Sequence, residues 1–191
     1  MIKVIDNVTT SSNAKHLEEL LLDQPWRYIQ NTGYNQFENM SVSYDSSWAL
    51  MLYSFDEALS PLMTLAHSIL IKALHDQNMS ISKLIRIRVG LTTRTPHPIV
   101  HAPHVDWDNA HMTALYYVND SDGDTVFYKD KRDETLPMSS HTWSKDHKFS
   151  VDTTITPKAD RMVMFEGLTY HSSTTPCNND YRLVINYNWK P

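Results

Sequence analysis

The sequence predicts an α+β fold in which a jelly-roll-like β core is covered on one face by helices from the N-terminal part of the chain. Three observations lead there: two segments of helical periodicity before residue 80, a change of hydrophobic period from 3.6 to 2 after it, and many short strand-like runs separated by Pro, Asn, Asp and Gly. The first helix is expected over 14–23 (AKHLEELLLD), behind the N-cap candidates Ser12 and Asn13 and ahead of Pro25. The second is expected over 55–78. Ser54 and Glu57 have the spacing of a capping box, Pro61 falls in the first turns, and Leu59, Leu62, Met63, Ala66, Ile69, Leu70 and Ala73 recur at helical spacing as a core-facing stripe.

From residue 81 onward Ile81, Ile85, Ile87 and Val89 alternate with Leu84, Arg86 and Arg88. Further strands are expected in MTALYYVN (112–119), DTVFYKD (124–130), HKFSVDTTI (147–155), RMVMF (161–165) and YRLVINYNW (181–189). Only four glycines are present, Gly33, Gly90, Gly123 and Gly167, so turns must rely mainly on Asn, Asp and Pro. No repeat, charge block or Gly/Ser linker interrupts the chain. It reads as one domain over 1–191, with a helical support region in 1–80 and the β core in 81–191.

Lys and Arg number 17 against 22 Asp and Glu, a formal charge of −5, which leaves no electrostatic footprint for nucleic acid or an anionic membrane. No window approaches 18 consecutive apolar residues and the first residues lack a signal-type apolar run, so a soluble, cytoplasmic protein is expected, in the host cytoplasm if its gene is viral. Nothing in the sequence specifies an oligomeric state. The one cysteine, Cys177, cannot form an internal disulfide or a Cys-based zinc or iron–sulfur site. Ten histidines leave imidazole plus carboxylate as the chemistry open to a transition metal.

His101-Ala102-Pro103-His104-Val105-Asp106 contains one His-x-Asp. In extended chain, residues i and i+2 point to the same side, so His104 and Asp106 can reach one metal. His171 follows the apolar run RMVMF and a Glu166-Gly167 turn, at the mouth of a strand, and is the best candidate for a third ligand. Two His and one Asp form the facial triad of non-haem Fe(II) oxygenases, which leaves coordination positions open. Eleven residues later Arg182 opens the last strand, and alternation puts Arg182, Val184 and Asn186 on one face and Leu183, Ile185, Tyr187 and Trp189 on the other. An inward arginine needs an anion, and a planar guanidinium matches a carboxylate in two-point fashion. His101 is read as a loop residue or one that supports the ligands from behind, His111 as a surface or mouth residue, and His16, His67, His75, His97, His141 and His147 as solvated.

Taken in order, His104-x-Asp106, the strand from Thr113 to Asn119, the turn Gly123-Asp124-Thr125, the strand from Asp160 to Phe165, and His171 followed by Arg182 resemble the Fe(II)/2-oxoglutarate-dependent dioxygenases. The prolyl 4-hydroxylase-like branch is the most similar, in particular its short stand-alone members of bacteriophage type. The resemblance covers roughly residues 81–189. It implies a double-stranded β-helix, cupin-like core, Fe(II) held by His104, Asp106 and His171, and Arg182 on the C5 carboxylate of 2-oxoglutarate. Tyr117 matches a position that donates a hydroxyl to that carboxylate, and Thr113 and Asn186 match two lesser pocket positions. The implied reaction consumes 2-oxoglutarate and O2, hydroxylates a C–H bond of a peptide, protein or small-molecule substrate, and releases succinate and CO2, with ascorbate in a supporting role. Prolyl residues are the default substrate by analogy.

The family's other pocket tyrosine, upstream of His-x-Asp, has no counterpart here. Arg86 and Arg88 share a strand face at that place and are candidates for the substrate side of the pocket, against an exposed strand face as the alternative. Trp107, next to Asp106, is a candidate for the substrate entrance. Segments 1–50 and 128–150 are expected to shape the substrate groove. Two other functions stay open: a cupin-like metal enzyme that does not use 2-oxoglutarate, which needs no inward Arg182, and a non-enzymatic jelly-roll binding module, which predicts no binding of metal or 2-oxo acid.

Overall fold

A computed structural model describes residues 1–29, 46–135 and 148–191. The expected strand at 147–155 is described from residue 148, and His141, His147 and most of 128–150 lie outside the described residues. The elements run β1 (Lys3–Ile5), α1 (Ser11–Leu22), β2 (Arg27–Ile29), β3 (Ser47–Ser54), β4 (Glu57–Ala58), α2 (Met63–Asp76), β5 (Lys83–Thr93), β6 (Met112–Tyr117), β7 (Thr125–Lys131), β8 (Val151–Ile155), β9 (Arg161–Glu166), β10 (Thr169–Ser173) and β11 (Tyr181–Lys190). The described strands build a larger antiparallel sheet in the order β1-β9-β6-β11-β5-β3-β2, with β4 on β3, and a smaller one in the order β10-β7-β8. The fold is therefore mostly antiparallel sheet with two helices. No described helix is long and apolar enough to cross a membrane.

Apart from β10, the strands of the second half fall where the period of two puts them, but the first half differs from expectation. α1 is capped by Thr10, whose Oγ1 accepts from the Asn13 amide at 3.2 Å, rather than by Ser12 or Asn13. The Ser54/Glu57 pair does not cap a helix. Phe55 and Asp56 both have positive φ (52° and 61°) and form the two-residue turn of the β3–β4 hairpin, in which Ser54 pairs with Glu57. α2 starts only at Met63, beyond Pro61.

The division into a helical region over 1–80 and a β core over 81–191 is also corrected, because β1–β4 fall in residues 1–80 and extend both edges of the larger sheet. The sequence of β3, SWALMLYS, is a run of apolar residues with too little alternation to mark a strand.

Both helices cover one face of the larger sheet. Ala14, Leu17 and Leu21 of α1 and Ala66, Ile69, Leu70, Ala73 and Leu74 of α2 are buried. All of these except Ala14 form one core with Ile87, Val89, Leu183, Ile185, Tyr187 and Trp189 from the sheet. The Tyr187 hydroxyl donates to the Ala66 carbonyl at 2.9 Å and so ties β11 to α2. Leu70 is fully buried at this contact. Leu70→Ala is expected to lower unfolding free energy by about 2–5 kcal/mol in urea titration, because the cavity it leaves cannot collapse against the sheet. On its other face the larger sheet meets the smaller one through Leu115, Tyr117, Phe127, Val163, Phe165 and Val184, and the site lies in the gap beside that cluster.

Candidate metal centre

β11 runs between β5 and β6, and the register sets their inward residues in rows. Asn188 stands between Arg86 and Thr113, Asn186 between Arg88 and Leu115, Val184 between Gly90 and Tyr117, and Arg182 beside Thr92. Facing these rows, the His-x-Asp segment is joined to β10 by a two-residue bridge: the His104 amide donates to the His171 carbonyl at 2.9 Å, and the His171 amide to the His104 carbonyl at 3.0 Å. That bridge sets the two imidazoles side by side, with ring centroids 4.7 Å apart. His171 therefore sits inside a strand, not at the mouth of one. The buried, largely polar sequence TYHSS had concealed β10.

His104, Asp106 and His171 present one donor atom each, all within 4.8 Å of one another, so they could hold one metal ion. The ring Nδ1 of His104 lies 3.1 Å from the Ala102 carbonyl, and that of His171 lies 3.1 Å from the Thr169 carbonyl. A carbonyl accepts only, so each Nδ1 carries the proton and each Nε2 offers a lone pair, the form in which imidazole binds metal. Burial, and then the neighbouring His104, push the His171 imidazole down to about 4, which keeps it neutral at physiological pH.

Asp106 is held on both oxygens. Oδ1 accepts from Arg86 Nη2 at 2.9 Å, and Oδ2 accepts from Asn186 Nδ2 at 2.9 Å and Asn188 Nδ2 at 3.2 Å. Burial alone would raise this carboxyl. The Arg86 guanidinium, the two imidazoles and the Asn186 amide outweigh it and keep the group well below the usual carboxylate range. Asn188 is fixed in turn, because its Oδ1 accepts from Arg86 Nε at 2.9 Å and its Nδ2 also donates to Thr113 Oγ1 at 3.1 Å.

Of the four residues expected to bind the cosubstrate, Arg182 and Asn186 line the cavity and Thr113 and Tyr117 stand behind its lining. Thr113 is fully buried behind Asn188 and steadies the carboxylate instead of lining the cavity. Asn186 does line the cavity, and its Oδ1 is buried without a partner among the described residues. Tyr117 is one residue removed from the cavity, because its hydroxyl donates to Thr125 Oγ1 at 2.7 Å. Thr125 enters the sequence reading only as part of the turn Gly123-Asp124-Thr125, where nothing local gives it a role in the site. Its Oγ1 also accepts from Arg182 Nη2 at 2.8 Å, so both lone pairs are used and its own proton is left to donate into the cavity.

Arg182 is buried, with its guanidinium carbon 5.5 Å from the Tyr117 ring centroid and its Nε unpartnered among the described residues. Gly123 packs behind it. A Cβ there would stand 2.7 Å from the Thr174 carbonyl oxygen and 3.1 Å from Arg182 Cδ, so only glycine leaves Arg182 in place.

The cavity occupies about 550 Å³ including its open mouth, and reaches from His104 and His171 past Gly90 and Val184 to Arg182. Along β11 the four residue steps from Asn186 to Arg182 span about 13 Å. Gly90 forms part of the floor between the two ends, and a Cβ there would meet only Val184 Cγ1, at 3.7 Å.

Arg86, a candidate for the substrate side, is committed to Asp106 and Asn188. Arg88 lines the cavity. Trp107 does not; it lies in a separate cleft beside Phe55, Lys83 and Lys190. His111, expected at the surface or mouth, is buried against Gly167. His101 is buried beside Ser173 and stands outside the donor cluster. His16 and His75 are exposed, but face Glu19 at 3.8 Å and Asp76 at 3.5 Å.

No protein-family model and no curated protein sequence matches the chain. Solved structures do. A 2OG-Fe(II) oxygenase family oxidoreductase from Burkholderia pseudomallei is similar with TM-score 0.65 and 8% identity, over 99% of this chain and 84% of that one. HygX from Streptomyces hygroscopicus, solved with nickel and 2-oxoglutarate bound, is similar with TM-score 0.61 and 11% identity, over 100% of this chain and 82% of that one. A prolyl hydroxylase from Trichoplax adhaerens, in complex with a peptide fragment of the hypoxia inducible factor oxygen degradation domain, gives TM-score 0.56 and 14% identity over 99% and 83%. The chain thus has the fold of the 2OG-Fe(II) oxygenases.

Proposed function

We propose that the protein is an Fe(II)- and 2-oxoglutarate-dependent dioxygenase, built on a double-stranded β-helix of jelly-roll, cupin-like type, that hydroxylates a C–H bond and releases succinate and CO2. The observation that carries this is one cavity with a His-Asp-His donor set at one end and a buried, anion-seeking Arg182 at the other. A mixed imidazole and carboxylate set suits Fe(II), and His104, Asp106 and His171 would hold it through Nε2, a carboxylate oxygen and Nε2. Bound there, the iron supplies the oxidising chemistry with O2 and the 2-oxo acid.

The chain's own residues bind and orient. Arg182 takes the distal carboxylate of 2-oxoglutarate by its planar fork, Thr125 adds a hydroxyl donor to the same group, and Tyr117 acts through Thr125. The floor at Gly90 leaves room for the methylene chain. Asp106 stays ionised and correctly turned because Arg86, Asn186 and Asn188 hold it, with Thr113 behind them. A peptide or small-molecule substrate enters from the metal end, and the prolyl hydroxylase among the structural neighbours makes a prolyl residue of a peptide the first substrate to try. Ascorbate is carried over from the family resemblance alone, and no described residue is assigned to it.

Mn(II) and N-oxalylglycine, an unreactive analogue of the 2-oxo acid, test this reading by thermal unfolding. Ligands that bind only the native state raise its stability, by about 2.7 kcal/mol at a hundred times Kd. Stabilisation by the analogue that requires Mn(II) is expected. A cupin-like enzyme without 2-oxoglutarate would respond to the metal alone, and a binding module to neither.

A further inference from the structure

We propose that Arg88 anchors an anionic oxygen group, a carboxylate or a phosphate, on the primary substrate, so that the enzyme selects an acidic substrate. The inference rests on the dioxygenase reading and deepens it. Arg88 lies on β5 in cross-strand register with Asn186, which itself holds the Asp106 carboxylate, and both line the cavity at its metal end. Among the described residues the Arg88 side chain makes no hydrogen bond or ion pair, whereas that of Arg86, one row away, is committed to Asp106 and Asn188. Burial, then the neighbouring Arg86 charge, lower its proton affinity, which is the mark of a cation without a counter-ion, although Asp106 pulls the other way.

A partly buried guanidinium facing a cavity without an anion is a cost to the empty protein, and the cost is recovered only when an anion arrives. The charges of the site say which anion. Arg86 cancels Asp106, so Fe(II), Arg88 and Arg182 leave four positive charges facing the cavity, and the two of 2-oxoglutarate neutralise half of them. A second oxyanion is wanted beside the metal, at the opposite end of the cavity from Arg182.

The experiment uses the full chain with Mn(II) and N-oxalylglycine bound, titrated at constant ionic strength with sodium acetate, inorganic phosphate or neutral acetamide. Acetate or phosphate is expected to raise the melting temperature further, by about 3 °C at saturating concentration, and acetamide not at all. Which of the two anions acts tells a carboxylate substrate from a phosphorylated one. Arg88→Met should abolish that second shift, keep the shift from N-oxalylglycine, and leave the ligand-free protein at least as stable as the parent. Arg88→Lys should keep a reduced shift.

Three results overturn the proposal: no stabilisation by either anion, equal stabilisation of Arg88→Met, or loss of the N-oxalylglycine shift in Arg88→Met, which would assign Arg88 to the cosubstrate. Failure of N-oxalylglycine to stabilise the parent protein would instead remove the dioxygenase reading, so the two failures are distinct.

Discussion

His171→Ala is expected to eliminate succinate formation, a fall of roughly 10³-fold or more, equivalent to about 4 kcal/mol of lost transition-state stabilisation. The imidazole is 3% exposed, its Nδ1 is held by the Thr169 carbonyl and its Nε2 faces His104 and Asp106. No described His, Asp or Glu outside the three stands in the cluster to replace it. Loss of metal binding is read independently of turnover, since Mn(II) should no longer raise the melting temperature of the variant. His171→Gln separates metal ligation from packing, because it keeps most of the buried volume between Phe127 and Phe165 but changes the donor. It should fold like the parent and still lose metal affinity. Retention of Mn(II) stabilisation and turnover in His171→Gln would rule out the ligand role.

The spacing of these residues was readable because it follows from strand geometry alone. His104 and Asp106 share a side by alternation, and the same alternation in YRLVINYNW puts Arg182, Val184 and Asn186 toward the cavity and Leu183, Ile185, Tyr187 and Trp189 toward the helices. What stayed hidden depends on register between strands far apart in sequence. Asn188 and Thr113 are 75 residues apart and meet only because β11 pairs with β6. Thr125 looks like any hydroxyl after a turn until Tyr117 and Arg182 both point their donors at it.

The β3–β4 hairpin departs from the sequence expectation for a related reason. Ser54 and Glu57 satisfy a helix-start pattern, yet Asp56 tolerates the left-handed conformation and β3 already has β5 to pair with, so sheet pairing prevailed over the local helical signal.

Arg182→Met is expected to raise the 2-oxoglutarate concentration needed for half-maximal turnover by about 30- to 1000-fold, which corresponds to about 2–4 kcal/mol for truncating one partner of a buried charged pair. The methionine fills the same volume and removes a buried cation that makes no ion pair among the described residues, so unfolding stability should hold or rise, and a loss of affinity cannot be put down to misfolding. Thr125→Val tests the same end of the cavity at lower amplitude. It removes the acceptor of both Tyr117 and Arg182 and the hydroxyl aimed at the carboxylate, and leaves the guanidinium in place, so a rise of about 10-fold is expected. The diagnostic is the division between constants. An anchor remote from the reacting carbon should raise the apparent KM for 2-oxoglutarate far more than it lowers kcat, because its contact is made equally in the bound and the transition state. If Arg182→Met lowered kcat and left that requirement unchanged, the anion would not be held at this end. The approach from Asn186 down β11 to Arg182 would then line the cavity without gripping the cosubstrate, and the cupin-like alternative would take its place.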